Sequence, residues 1–194
     1  MSYAELHCLS NYSFLRGASH PSELVEQAVH LGYSALAITD ECSLAGVVKA
    51  HIVAKELDFK LIIGSEFNVS EGLKLVAIAP SRAAYGELSN LISRSRRRSE
   101  KGQYLTHLRD IYFHLKRCLI IWLPTHIDKE KHHADILSRR FADRFWIGVT
   151  QLLHHDDTTR LTELQQIASE LKAPLIACGS VEMHSASRKM LHDV

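Results

Sequence analysis

Histidine and carboxylate side chains stand at or just beyond the ends of short apolar runs in this chain. The runs cover residues 4–8, 35–39, 61–67, 73–79, 119–123, 145–149 and 174–178. His7 falls in the first, Asp40 and Glu41 follow the second, Glu66 falls in the third, and Ser180 and Glu182 follow the last. In a β/α barrel, catalytic groups sit at the C-terminal ends of the strands. This register therefore locates a candidate site, and the residue types there decide whether it works. Thirteen histidines in 194 residues also raise metal ligation as its chemistry, each histidine to be judged in its own setting.

The elements that must position these groups follow from the pattern. Most of the apolar runs are continuous rather than alternating, as in strands buried on both faces. Helix-like stretches separate most of them. Pro21 opens one, with Leu24, Ala28 and Leu31 at helical spacing and Gly32 at its end. Ser43 is expected to cap a second, carrying Leu44, Val47, Val48, Ile52 and Leu57 on one side, and Ser81 a third, carrying Ala84, Leu88, Leu91 and Ile92. A long excursion covers residues 94–116. Further helices are expected from Asp128 or Lys129 to Phe141, and over residues 156–171 with Leu161, Leu164, Ile167, Ala168 and Leu171 as the stripe. The turn-like Ser70-Glu71-Gly72 could let the third and fourth runs pair locally. Strand–helix alternation implies parallel strands with right-handed crossovers. An open doubly wound sheet and a distorted barrel both suit seven strands.

Composition narrows the classes. Apolar residues make up 46% of the chain, enough for a sizeable core. No run approaches the roughly 18 apolar residues of a membrane span, and the polar start does not read as a signal peptide. A cytoplasmic protein is expected. Cys8, Cys42, Cys118 and Cys178 are dispersed, without C-x-x-C spacing, and read as reduced core residues. The net charge of +1 makes no case for nucleic acid over the whole chain. The dense run Arg94, Arg96, Arg97 and Arg98 is the local exception and a candidate for phosphate contact on DNA.

The wording of residues 3–51, with ELHCLSNYSFLRGASHP at 5–21, closely resembles the N-terminus of bacterial C-family polymerases, the DNA polymerase III alpha group, and within it the error-prone branch. IIGSEFNV at 62–69, LVAIAPSRAAYGELSNLI at 75–92 and VEMHSASRKMLHDV at 181–194 match in order and spacing, with a looser fit over 94–150. The resemblance identifies the region as a PHP (polymerase and histidinol phosphatase) domain. It implies an α/β fold, a distorted seven-stranded β/α barrel, over residues 1–194 of a longer polymerase.

Active members of that family hold a metal cluster in a cup of histidines and carboxylates, where it binds phosphate oxygens and activates water. Imidazole and carboxylate suit zinc, manganese or iron. Here the H-x-H motif reads His7-Cys8-Leu9, a further ligand position reads Arg16, and the Asp-His pair reads Asp40-Glu41. Gly64-Ser65-Glu66 keeps its G-x-E form. The next family histidine aligns with Lys74, and Asp-x-His reads Ser180-Val181-Glu182. Leucine has no lone pair to donate. Arginine and lysine bring positive charge to a cation site, where unit charges ~4 Å apart at a dielectric of 20 repel by roughly 4 kcal/mol. A degenerate site without metal is expected, its carboxylates paired with Arg16 and Lys74. His7, Glu41, Glu66 and Glu182 are the residual alternative for one weaker ion, and His184 could partly replace a lost ligand.

Other candidates have plainer readings. His132 and His133 are expected on a solvated helix surface, His30 and His51 on helices as surface or packing residues, and Asp156 or Asp157 as a helix cap behind His154 and His155. The resemblance implies an error-prone DNA-directed DNA polymerase active in damage-induced translesion synthesis. Its polymerase catalytic aspartates and magnesium lie outside this segment, which is structural and needs no cofactor. Primed DNA template, deoxynucleotides, the polymerase core, a sliding clamp and other damage-response proteins are the expected partners, with no membrane. The alternative is a metal-dependent phosphoesterase, a proofreading nuclease or pyrophosphatase. A last helix is expected from Ser185, with an apolar face of Met190, Leu191 and Val194 that is exposed or covered by a neighbour.

Overall fold

The computed structural model describes residues 3–193, so Val194 lies outside the described residues. The chain divides into two compact units, one running to Glu66 and resuming at Gly179, the other Phe67–Cys178.

The first unit is built on three parallel strands, β1 (Ala4–Cys8), β2 (Ala35–Ile38) and β3 (Leu61–Asn68), with β2 between the other two. All four β2 residues are buried, as the continuous apolar run requires. β1 behaves differently. Glu5 and His7 are its inward pair, each about 1% exposed, two residues apart on one face. A register shift between Glu5 and Cys8 marks an irregularity at this point, the kind of strand distortion that re-aims side chains beside sites.

Helix α1 (Pro21–His30) starts at proline, whose fixed φ suits the first helical position. The Glu23 carboxylate accepts the His20 N–H at 2.8 Å. Leu24, Val25 and Ala28 are its buried face, while Leu31 falls outside the helix and is largely exposed. The chain turns away at Gly32, φ +71°.

Helix α2 (Val47–Glu56) corrects an expectation. It begins after Gly46, and the Ser43 hydroxyl instead accepts the Ala45 N–H in the preceding turn, at 3.1 Å. The buried face also differs from the one expected. Val47, Ala50 and Ala54 are buried, and Val48 and Ile52 are exposed. Two alanines at i, i+4 let α1 and α2 lie close over the core of Cys8, Leu36 and Ile38.

In the second unit, β4 (Lys74–Ile78) is antiparallel to β5 (Leu119–Trp122), with Leu75 opposite Trp122 and Ile78 opposite Leu119. Strand–helix alternation implies parallel strands, with a local pairing of the third and fourth runs as the one exception. The reversal begins at the turn before β4, closed by the Val69 N–H on the Leu73 carbonyl at 2.8 Å. Strands β6 (Phe145–Val149) and β7 (Leu175–Ala177) then continue parallel from β5.

Helix α3 (Arg82–Arg97) is capped as expected, the Ser81 hydroxyl accepting the Ala84 N–H at 3.2 Å. It runs further than its apolar stripe suggested, so Arg94, Arg96 and Arg97 fall in its last turn and Arg98 is its C-cap. Within the excursion lies a helix the sequence reading missed, α4 (Leu108–His114), whose Asp110 carboxylate accepts the His107 N–H at 2.9 Å.

Helix α5 (Ile127–Arg140) is tied down by Glu130, a buried carboxylate. It accepts from the Trp122 indole at 2.7 Å and from the Thr125 hydroxyl at 2.6 Å. Helix α6 (Asp157–Leu171) buries Leu164 and Ile167. Asp156 occupies the cap position without a side-chain bond, and the Asp157 carboxylate accepts the His154 N–H at 3.2 Å.

Ser185 leads into a single 3-10 turn and then the short helix α7 (Lys189–His192). Met190 and Leu191 are 83% and 61% exposed, so the described part of the apolar face expected there is open. All four cysteines are buried. No helix among the described residues is long and apolar enough to cross a membrane.

Candidate functional site

The cup is assembled within the first unit, from the ends of β1, β2 and β3, the loop after β1, and the segment after Gly179. Its centre is Glu66, whose side chain is fully buried. The backbone sets Glu66 between neighbours: its N–H bonds the Thr39 carbonyl at 3.1 Å, and its carbonyl accepts the Cys42 N–H at 2.8 Å. His7 Nε2 lies 2.7 Å from Glu66 Oε2. Because an ionised carboxylate only accepts, this nitrogen carries the proton of the bond. His7 Nδ1 is buried with no hydrogen-bond partner among the described residues.

Arg16 occupies the middle. Its Nη1 donates to Glu41 Oε2 at 2.7 Å and also to Glu66 Oε1, and its Nη2 donates to Glu66 Oε2 at 3.3 Å. Glu182 Oε1 is 3.5 Å from Nη2. One guanidinium thus meets three carboxylates, and its planar fork of donors matches that geometry. The electrostatics follow. Burial opposes charge on Glu66, but the bonds from His7 and Arg16 outweigh it and pull the carboxyl down from 4.5 to about 2. Burial likewise opposes charge on Arg16, and Glu66 and then Glu41 more than offset it, holding the guanidinium firmly protonated.

The loop that delivers Arg16 is pinned through Asp40. This buried carboxylate accepts from the Ser10 N–H at 2.7 Å, from the Ser10 hydroxyl and from the Ser13 hydroxyl at 2.8 Å. Burial raises its pKa, and the serine bonds only partly counter that rise. The Ser13 carbonyl then accepts the N–H groups of Arg16 and Gly17, both at 3.0 Å. A Cβ on Gly17 would stand 1.9 Å from the Ser10 carbonyl oxygen, so only glycine lets the loop fold this tightly. Asp40, at a family ligand position, here serves as the anchor of the loop.

Glu5 plays a similar part and was not singled out by the sequence. Its carboxylate accepts from the His7 N–H and the Gly179 N–H, each at 2.8 Å. A Cβ on Gly179 would lie 2.1 Å from Glu5 Oε2. This close approach seats the segment in which Ser180 takes a left-handed φ of 52° and Val181 bridges to Cys8, carrying Glu182 to the cup. The available signal was Glu5 two residues before His7 in one strand, hence on the same face.

His7, Glu41, Glu66 and Glu182 therefore converge, as their register implied, around Arg16. Leu9 is buried at the end of β1, and Lys74 opens β4 in the second unit. Among the described residues no three His, Cys, Asp or Glu side chains are placed to hold one metal ion. His184 is directed elsewhere, its Nδ1 2.7 Å from the Ser19 hydroxyl. The histidine that does reach a cup carboxylate is His192 of α7, with Nε2 2.8 Å from Glu182 Oε2. Its pKa is raised, chiefly by Glu182 and then by Asp193.

His30 and His51 are exposed on their helices. His133 departs from the surface reading, since its Nδ1 is buried without a partner among the described residues and its ring lies 5.5 Å from that of His132. The arginine run is partly committed within the second unit. Arg96 reaches the Gly102 carbonyl at 3.3 Å and lies over the Tyr104 ring, and Arg98 pairs with Asp110 at 2.5 Å.

Comparison with known proteins agrees with this frame. The chain is 50% identical over its full length to a protein named error-prone DNA polymerase from Teredinibacter turnerae, covering 19% of that protein. It is 52% identical to one of the same name from Methylococcus capsulatus, over 98% of this chain and 18% of that protein. The chain thus spans about a fifth of the length of these relatives.

Among solved structures, a candidate metal-dependent phosphoesterase from Bifidobacterium adolescentis matches with a TM-score of 0.66 at 15% identity, over 95% of this chain and 88% of that one. An amidohydrolase from Chromobacterium violaceum, with bound sulfate and no metal, matches equally at 14% identity, over 94% and 88%. At such identities the likeness speaks for the fold, which is the distorted seven-stranded β/α barrel expected. The signature described as PHP domain matches residues 5–142. The chain belongs to the PHP domain family.

Proposed function

We propose that the chain is the PHP domain of an error-prone DNA polymerase, and that it supports the polymerase core without itself carrying catalysis. Identity of 50% along the whole chain to proteins of that name supports the first half. In this reading the polymerase extends primed DNA with deoxynucleotides past damage, in the cytoplasm, as part of an induced repair response. Magnesium serves aspartates elsewhere in that protein, and a sliding clamp and other damage-response proteins are its partners. Primer extension across a template lesion by the polymerase that carries this chain tests this half.

The second half rests on Arg16. Its guanidinium bonds Glu41 and Glu66 and approaches Glu182, three of the four groups that a residual metal site would need. A permanent cation there repels a metal ion and consumes its donors. The residues present do not fit a metal cluster, and Leu9 removes a further ligand. The cup reads as an arginine-bridged polar core that holds the loop after β1 and the Gly179 segment in place.

Elemental analysis of protein purified without chelators should give far less than one equivalent of zinc, manganese or iron per chain. Leu9→His should not create manganese-dependent phosphoesterase activity, because Arg16 stays in the cup. Stoichiometric metal that survives dialysis, or a hydrolytic Leu9→His variant, would favour the competing reading. That reading, a metal-dependent phosphoesterase, draws on the convergence of His7, Glu41, Glu66 and Glu182.

A further inference from the structure

In the second unit the charged residues that line one surface groove are all arginines, although the chain as a whole is close to neutral. It lies along α3. Gly86, Ser89, Asn90 and Ser93 recur at the spacing of one helix face and, with Tyr85, Arg94, Arg97 and Arg98, line an open groove of about 800 Å³. A second hollow of about 380 Å³ adjoins it through Gly86, Asn90 and Arg94 and is bounded by Phe113, His114, Lys116 and Arg117, with Glu87 also in its lining.

The counter-ions of this patch are less exposed than the arginines they pair with. Arg117 pairs with Glu87 at 2.5 Å, yet the arginine side chain is 62% exposed and the glutamate 14%. Arg98 pairs with Asp110, 31% against 8% exposed. The carboxylates therefore hold the arginines while the cationic groups face solvent. Asn90 contributes in the same sense. Its Oδ1 accepts from Arg94 Nε at 2.7 Å, which fixes the amide so that its NH₂ remains a donor. The groove floor is small and made of hydroxyl and amide groups, and its rim is cationic.

We infer that this α3 groove, with Ser89, Asn90 and Ser93 as floor and Arg94, Arg97 and Arg117 as rim, binds the sugar–phosphate backbone of DNA without reading sequence. Small donor-bearing residues let a phosphate approach the helix closely, and arginine forks suit phosphate oxygens. Contacts of this kind position a strand but carry no base information. Arg96 is left out of the contact set, because it turns back onto Gly102 and Tyr104. The inference does not depend on the polymerase reading.

The test is a salt titration of binding to a fluorescent 20-base-pair duplex and to one of its single strands. Three proteins are compared with the wild type: Arg94→Gln/Arg97→Gln, Ser89→Leu, and the control Lys55→Gln/Lys60→Gln, which removes the same charge from exposed positions of the first unit. Each phosphate contact on duplex DNA adds about 0.9 to the slope of log affinity against log salt. Losing two contacts should flatten the slope by about 1.8, so that between 50 and 200 mM salt the wild type loses about 12-fold more affinity than the variant.

Ser89→Leu should weaken binding with no change in charge, by filling the floor. The control should leave slope and affinity near wild type. Equal losses in the control, an unchanged slope in the arginine variant, tight binding by Ser89→Leu, or no DNA binding by the wild type at 50 mM salt would each overturn the assignment. Circular dichroism of each variant, unchanged from wild type, establishes that the groove itself was tested.

Discussion

Arg16→Met should cost about 3–5 kcal/mol of stability at neutral pH, because it strands a buried carboxylate. Glu66 has no exposed side-chain surface, and losing Arg16 removes two of the guanidinium bonds that meet its charge. Glu41 and Glu182 are partly exposed and can turn to water, so their share is small. The pH dependence gives a sharper readout. In the native protein the Glu66 carboxyl is lowered from 4.5 to about 2. A lowered carboxyl stabilises the fold above its unfolded pKa and loses that contribution as pH falls towards its folded one.

The shift corresponds to roughly 3 kcal/mol, present above pH 4.5 and more than half gone by pH 3. In Arg16→Met that acid-sensitive contribution should shrink, the bond from His7 keeping part of it. Urea unfolding of both proteins at pH 7 and pH 3 should therefore show a large gap that narrows on acidification. A gap below about 1 kcal/mol at pH 7, or one that widens at pH 3, would mean that Arg16 is not what stabilises the Glu66 charge in the cup.

Leu36→Ala should cost about 2–5 kcal/mol, the range of large-to-small changes in tight cores. Leu36 is 3% exposed on β2, paired with Glu5 on β1 and with Leu61 on β3. It packs in the core with Cys8, Leu24, Ala28 and Ile38. A strand held on both edges has little freedom to collapse into the space left behind, which places the loss in the upper part of the range. Denaturant midpoints at constant m-value would measure it. A loss well under 2 kcal/mol would show that β2 is not central to the first unit.

The two predictions draw on parts of the molecule that differ in how far the sequence exposes them. The strands were legible, because continuous apolar runs of β-favouring residues bounded by polar turns have few other ways to be buried. The starts of α1 and α3 were legible too, from Pro21 and Ser81, whose effects are local. Where apolar spacing alone was used, the reading slipped. The sequence pointed to Val48 and Ile52 as inward-facing, whereas Ala50 and Ala54 face inward with Val47. Helix α4 was hidden in a polar, charge-rich stretch with no strong periodicity.

The cup shows the same division. Which residues could gather was set by their register at the strand ends, and His7, Glu41, Glu66 and Glu182 do gather. The opposition of Arg16 to those carboxylates also followed from charge type. What only the tertiary structure decided was who anchors whom. Asp40 became the post on which Ser10 and Ser13 hang the loop, Glu5 seated the Gly179 segment, and His192 rather than His184 met Glu182. These are contacts between residues separated by 27, 174 and 10 positions. Propensity and periodicity act over a few residues, whereas a buried carboxylate takes whichever donors the packed chain brings within 3 Å.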